Sequence, residues 1–207
     1  MVKRFIWDLD GTILDGDFSK EEELFRANLS EEDFLKFKKN RWDLLNAYEK
    51  EYPKYDKKTL SKFLSDGCNT IISEELIDKW SDYMININES IHPGVIDVLD
   101  YLNSKGIENV IYSNWFQKTQ EGRLKSLGLD SYFKEIIGGD LYMKPSKEGF
   151  LYACGPYKPS ECVMVGDNYD KDILGAKKAG LRTVYYSPKE DVDVPHIKRL
   201  VKIKEMY

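Results

Sequence analysis

Two rhythms of hydrophobic and polar positions divide this chain. It opens on a short apolar run, Val2, Phe5, Ile6 and Trp7, which predicts a buried strand over residues 2–7 that stops at Asp8. From about Phe18 to Ser90 the apolar positions recur at helical spacing among charged residues, with almost no strand-like run. Ser30, followed by Glu31, Glu32 and Asp33, reads as an N-cap with acids in the first turn. It leads into Phe34, Leu35, Phe37, Trp42, Leu45 and Tyr48, and Pro53 after Tyr52 stops that helix. Further helices are predicted over 57–64 and, opened by Ser73-Glu74-Glu75, over 73–84.

After His92-Pro93-Gly94 helix and strand alternate. The pattern predicts helices over 95–103, 116–127, 145–153 and 170–179, the second and last closed by Gly128 and Gly180. Between and after them fall short apolar runs over 110–113, 132–138, 163–165 and 183–186. Strands of about four residues without polar alternation, each followed by a helix, predict a parallel sheet covered on both faces. The expected fold class is therefore α/β, a doubly wound, Rossmann-like parallel-sheet core with an inserted all-helical cap domain. The core is assigned to 1–14 and 92–207 and the cap to 15–91, above the carboxyl ends of the strands. Short linkers near 15–17 and 91–94 would let the cap move as a lid, with Gly16 and Gly94 absorbing the rotation.

Composition narrows the function classes. At 207 residues there is room for one core and a smaller satellite, and 42% hydrophobic with 13% aromatic residues marks a globular chain. A net charge of −5 leaves no basic footprint for nucleic acid. No apolar run approaches the ~20 residues of a membrane span, and the first residues enter a strand at once. Three cysteines, Cys68, Cys154 and Cys162, lack metal-type spacing and read as reduced thiols of a cytoplasmic protein, a monomer or homodimer. With two histidines, a zinc site or a Ser-His-Asp triad is poorly supplied, and His92 beside Pro93-Gly94 reads as a turn residue.

The candidate chemistry lies where the predicted strands end. Asp8-Leu9-Asp10-Gly11-Thr12 sets two carboxylates two positions apart at a glycine turn. Alternation would send them to opposite faces of a strand, so they share a site only if the chain leaves the sheet between them. Carboxylates held that close call for a cation. Three more polar groups follow: Ser113-Asn114, Lys144 before Pro145-Ser146, and Gly166-Asp167-Asn168 with Asp172. Singly each has a plain structural reading: an acidic turn, a strand-to-loop pair, a surface lysine, a helix's first-turn acid. Together they fall on the edge where open α/β sheets bind ligands. Their types suit phosphoryl transfer: Asp8 as carboxylate nucleophile, Asp10 as general acid and base, Lys144 and Ser113 on the phosphate. Asp8 and Asp167, with a backbone carbonyl of the first turn, can hold Mg²⁺.

These four motifs resemble the haloacid dehalogenase-like (HAD) superfamily over the whole chain, with a cap of the helical class I type. The resemblance implies Asp8 as nucleophile, Asp10 as acid/base, and Mg²⁺ held by Asp8, the Asp10 carbonyl and Asp167. It implies Thr12, Ser113, Asn114 and Lys144 as phosphate-handling positions, and Asp172 as support for the metal shell, with Asp170 the alternative. The expected activity is a Mg²⁺-dependent phosphatase for a small phosphorylated metabolite, working through an aspartyl-phosphate. A sugar-phosphate mutase of the beta-phosphoglucomutase kind is the rival, since both begin by phosphorylating Asp8. A dehalogenase, which lacks the second carboxylate, and a non-catalytic binding module stand further off. Substrate choice is expected from the cap and nearby loops, with Arg26, Lys38, Lys39, Arg41, Trp42 and Trp115 as candidates that one sequence does not rank.

Overall fold

Strand β1 (Arg4–Trp7) is buried along its whole length at the centre of a five-stranded parallel sheet. On one side it pairs with β4 (Glu108–Tyr112) and then β5 (Ile136–Ile137), on the other with β6 (Cys162–Gly166) and then β7 (Arg182–Tyr185). The computed structural model describes residues 1–188 and 192–207. Alternation along each strand supplies two cores. Phe5, Trp7, Ile111, Val163 and Val165 pack with Val98 and Leu102 of α5 (Val95–Ser104). Ile6, Val110, Tyr112 and Met164 face Phe150 of α7 (Lys147–Ala153) and Ala176 of α8 (Gly175–Lys178). The α/β reading of the sequence is the observed fold class.

Four helices stand between β1 and α5: α1 (Glu21–Asn28), α2 (Glu31–Glu51), α3 (Lys57–Cys68) and α4 (Glu74–Ile85). Ser30 caps α2 through the Asp33 N–H as expected. Helix α1, unassigned from sequence, opens with Glu21, Glu22 and Glu23 in its first turn. The block has its own core, in which Phe25, Phe37 and Trp80 meet edge to face at centroid distances of 4.8, 5.1 and 6.0 Å.

Three local expectations are corrected. The segments expected as two separate linkers pair with each other: β2 (Leu14–Gly16) and β3 (Glu89–Ile91) form an antiparallel ribbon, Leu14 opposite Ile91 and Gly16 opposite Glu89. The single helix expected over 170–179 is a π-helical turn, Tyr169–Leu174, followed by the short α8. Pro145 does not set the first turn of α7; Ser146 caps that helix, accepting from the Gly149 N–H at 3.1 Å.

Candidate active site

The carboxyl ends of β1 and β6 build the centre of the site. Asp8 continues β1, its N–H donating to the Val165 carbonyl at 2.9 Å. The chain then turns out of the sheet: the N–H groups of Ile13 and Leu14 both donate to the Leu9 carbonyl, at 2.9 and 3.0 Å. Gly11 makes this turn at φ +75°, and a Cβ there would lie 2.8 Å from the Asp167 carboxyl carbon, so only glycine fits. The turn parts the two acids. Asp8 faces Lys144, whereas Asp10 faces Arg123.

Lys144 is 3% exposed, not the surface lysine it resembles in isolation. Its ammonium is bonded to the Asp8 carboxylate and, at 2.7 Å, to Asp172. Asp172, fully buried at the π-helical turn, also accepts from the Asn168 N–H at 3.0 Å. Gly166 leaves the room Asp172 occupies, since a Cβ there would fall on its carboxylate. Asp170 is exposed, so Asp172 is the acid that joins the cluster. Carboxylate oxygens of Asp8, Asp167 and Asp172 lie within 4.8 Å of one another.

The electrostatics fit a hard divalent cation. Burial, then repulsion from Asp172 and Asp167, pushes the Asp8 carboxyl well above the usual range, against the opposing pull of Lys144. Asp167 is raised by burial and then by Asp172. Burial on its own would lower Lys144, but Asp172 and Asp8 outweigh it and keep it protonated. Three carboxylates around one ammonium leave two negative charges unbalanced, and their oxygens are the donors Mg²⁺ prefers.

The other candidates surround this centre. The Thr12 hydroxyl is buried and donates to Asp167 at 3.2 Å. Ser113 accepts from Gln120 Nε2 at 3.0 Å, and Asn114 Oδ1 accepts from the Lys144 N–H at 2.8 Å. These nine residues line one cavity of about 210 Å³: Asp8, Asp10, Ser113, Asn114, Lys144, Asp167, Asn168, Lys171 and Asp172. Sequence reading missed Arg123 and Gln120, both buried on α6 (Gln117–Ser126), and Glu89 on β3. Burial on its own would lower Arg123, but Asp10 and Glu89 prevail and raise it.

A second cavity of about 300 Å³ adjoins the first, since Asp10, Asn114 and Lys171 line both. Of the cap and loop candidates, Trp42 and Trp115 line it. Of the basic candidates, Arg26 pairs with Glu31 and Lys38 with Glu22, buried Arg41 backs the cavity by holding its lining residue Glu21 at 2.6 Å, and Lys39 is exposed and outside both cavities. Several contacts tie the helical block to the strand-end loops, among them the Trp115 Nε1 bond to the Ser81 hydroxyl at 3.2 Å. Tyr55 N–H donates to the Gly139 carbonyl at 2.7 Å, Met143 N–H donates to the Pro53 carbonyl at 3.3 Å, and Lys171 pairs with Glu49. His92 is buried, with Nδ1 3.2 Å from the Tyr186 hydroxyl.

The family model for haloacid dehalogenase-like hydrolases matches residues 2–180. The chain belongs to that family. Among relatives within it, the phosphoglycolate phosphatase of Aquifex aeolicus is 26% identical over 197 residues, 88% of this chain and 83% of its own. The ribulose-1,5-bisphosphate 5-phosphatase of Halopiger xanaduensis is 31% identical over 118 residues, 55% of this chain; the match spans about half of that relative, 48%. The HAD-hydrolase YfnB of Bacillus subtilis, in a magnesium-bound crystal structure, shares the fold with a TM-score of 0.73 at 23% identity, over 99% of this chain and 98% of its own. Among the described residues, no helix is long and apolar enough to cross a membrane.

Proposed function

We propose that this HAD-family chain is a Mg²⁺-dependent phosphatase of a small phosphorylated metabolite, with Asp8 as nucleophile and Asp10 as acid and base. The observation that carries this reading is the gathering of Asp8, Asp167 and Asp172 around Lys144, with Asp10 lining the same cavity. The phosphatase names of the relatives agree with it.

In the first half-reaction an Asp8 carboxylate oxygen attacks phosphorus and the bond to the alcohol oxygen breaks, that oxygen taking a proton from Asp10. In the second, water attacks the phosphorus of the aspartyl-phosphate, gives a proton to Asp10, and Asp8 is released with inorganic phosphate. Lys144 and the Ser113 hydroxyl sit where they can neutralise and hydrogen-bond the phosphoryl oxygens. Asp8, Asp167 and Asp172 would hold Mg²⁺, which supplies further neutralisation of phosphoryl charge. Arg123 fixes the Asp10 carboxylate. In this reading residues 15–91 act as a lid that limits water around the aspartyl-phosphate.

The test is phosphate release by the purified full chain from a panel of phosphomonoesters with Mg²⁺. We expect turnover into inorganic phosphate, lost in Asp8→Asn with the circular dichroism spectrum unchanged. Isomer interconversion of a hexose phosphate without phosphate release would replace the hydrolase by a mutase, and no turnover at any Mg²⁺ concentration would end the reading.

A further inference from the structure

We propose that the phosphomonoester hydrolysed here carries an uncharged, flat ring in its alcohol half, and that this ring packs in the larger cavity beside the acidic centre. The proposal rests on the phosphatase reading and narrows its substrate class. Position comes first. Asp10 lines both cavities, so an alcohol oxygen within reach of its carboxyl lies at their junction. A phosphoryl group seated between Asp8 and Lys144 then directs the rest of the alcohol into the cavity of about 300 Å³, which lies at the small end of ligand pockets.

Aromatic rings make up much of the wall of that cavity: Phe18, Trp42, Tyr55, Trp80 and Trp115 line it, beside Leu45 and Met84. Much of this ring surface is fixed by its own packing: Trp115 meets Trp80 at 4.8 Å and Tyr55 at 5.4 Å between centroids. Trp42 differs. It lines the cavity yet is 54% exposed, an apolar surface of a size that folding ordinarily covers. A flat ring inserted beside it would cover that surface.

Charge sets the second half of the argument. The lining holds three carboxylates, Asp10, Glu21 and Glu49, and among the described lining residues one cation, Lys171. That cation is paired with Glu49, which also accepts from the Tyr55 hydroxyl at 2.6 Å. Glu21 is held by Arg41 at 2.6 Å and by Trp80 Nε1 at 2.8 Å. A second anionic group on the substrate, a carboxylate or another phosphate, would find Lys171 committed to Glu49, and the guanidinium groups behind the other two acids, Arg41 on Glu21 and Arg123 on Asp10, committed as well. The cavity thus selects against substrates of the phosphoglycolate or bisphosphate kind and favours an uncharged ring.

The experiment compares kcat/KM of the purified full chain, with Mg²⁺, for phenyl phosphate, uridine 5′-monophosphate, glycerol 3-phosphate and 2-phosphoglycolate. At least one ring-bearing ester should exceed both ring-free ones by about tenfold or more, a ratio within the reach of ring stacking. Preference for phenyl phosphate identifies an aryl alcohol and preference for the uridine ester a nucleoside; either upholds the ring. Trp42→Ala, at a half-exposed position, should fold normally and reduce the ratio of ring-bearing to ring-free kcat/KM by about tenfold. The non-turning Asp8→Asn protein should bind the preferred ring ester more tightly than 2-phosphoglycolate in a tryptophan-fluorescence titration. Best turnover of 2-phosphoglycolate or glycerol 3-phosphate, or a ratio unmoved by Trp42→Ala, overturns the ring while leaving the phosphatase in place. Inactivity on all four and on the wider panel overturns both.

Discussion

Arg123 holds Asp10 by two parallel bonds, Nη1 to Oδ2 at 3.1 Å and Nη2 to Oδ1 at 2.5 Å. The same guanidinium donates from Nε to Glu89 on the ribbon at 3.0 Å, so one buried cation orients the proposed acid/base and ties it to the base of the helical block. The two carboxylates differ in exposure: the Asp10 side chain is 46% exposed and that of Glu89 is 2%. Arg123→Met therefore leaves one rehydrated acid and one stranded buried charge, at a cost of about 3–5 kcal/mol. Adding Glu89→Leu should restore most of that stability in denaturant unfolding. Turnover should stay down by about 100-fold in kcat, because Asp10 has lost its positioning. Recovery of kcat together with stability would make Arg123 a purely structural residue.

Lys144 neutralises two buried acids at once, and its loss should separate folding from catalysis. Lys144→Met leaves Asp8 and Asp172 without their counter-charge and should destabilise the metal-free protein by about 3–5 kcal/mol. Mg²⁺ should return part of that stability in thermal melts. It should not return turnover, expected to fall by about 10²–10³-fold with one phosphate-directed charge removed. Full rescue of kcat by added Mg²⁺ would refute a direct role.

The crowded carboxylates predict that metal binding stabilises the folded chain. Binding to the native state alone adds about 2.7 kcal/mol at 100 times the dissociation constant. Mg²⁺ should raise Tm, EDTA should reverse the rise, and Asp167→Asn should shrink it. An equal rise in wild type and Asp167→Asn would place the ion elsewhere.

Asp56 allows a test of stability far from the chemistry. Its carboxylate caps α3, accepting from the Thr59 N–H at 2.9 Å and the Thr59 hydroxyl at 2.7 Å, and the backbone bond, foremost, lowers its pKa. A group depressed in the folded state stabilises above its unfolded pKa, near 3.9, and loses that contribution as pH falls through the folded value. Asp56→Ala should cost about 1 kcal/mol at pH 7. The gap between variant and wild type in urea unfolding should narrow as pH drops below about 4. A gap constant with pH would show that the charge plays no part.

The proposed centre was legible in the sequence because its chemistry is local. Asp8-Leu9-Asp10-Gly11, Ser113-Asn114 and Gly166-Asp167 each mark the end of an apolar run, and strand ends of a parallel sheet converge, while Lys144 reaches them from the loop between β5 and α7. Arg123 was not legible. Its helix reads Gln-Lys-Thr-Gln-Glu-Gly-Arg-Leu-Lys-Ser, a solvated surface by composition, and its partners Asp10 and Glu89 lie 113 and 34 positions away. The ribbon was hidden for a related reason. Leu-Asp-Gly and Glu-Ser-Ile have little strand propensity of their own, and only their pairing makes them strands. Pro145 has a fixed φ that suits the first position of a helix, but the Ser146 hydroxyl, one residue on, takes the cap.

That ribbon also bears on how the chain reaches its fold. Arg4 pairs with Glu108, a contact that must close a loop of about 100 residues if the helical block is still unfolded. Once the four helices have formed and Leu14 has met Ile91, the block becomes a short-circuit, and the loop left to close is about 30 residues. At about 0.6 kcal/mol for each doubling of length, the saving in closure entropy is roughly 1 kcal/mol. Three residue pairs at the base of the insertion thus let the central strand find its neighbour almost as if the inserted helices were not there.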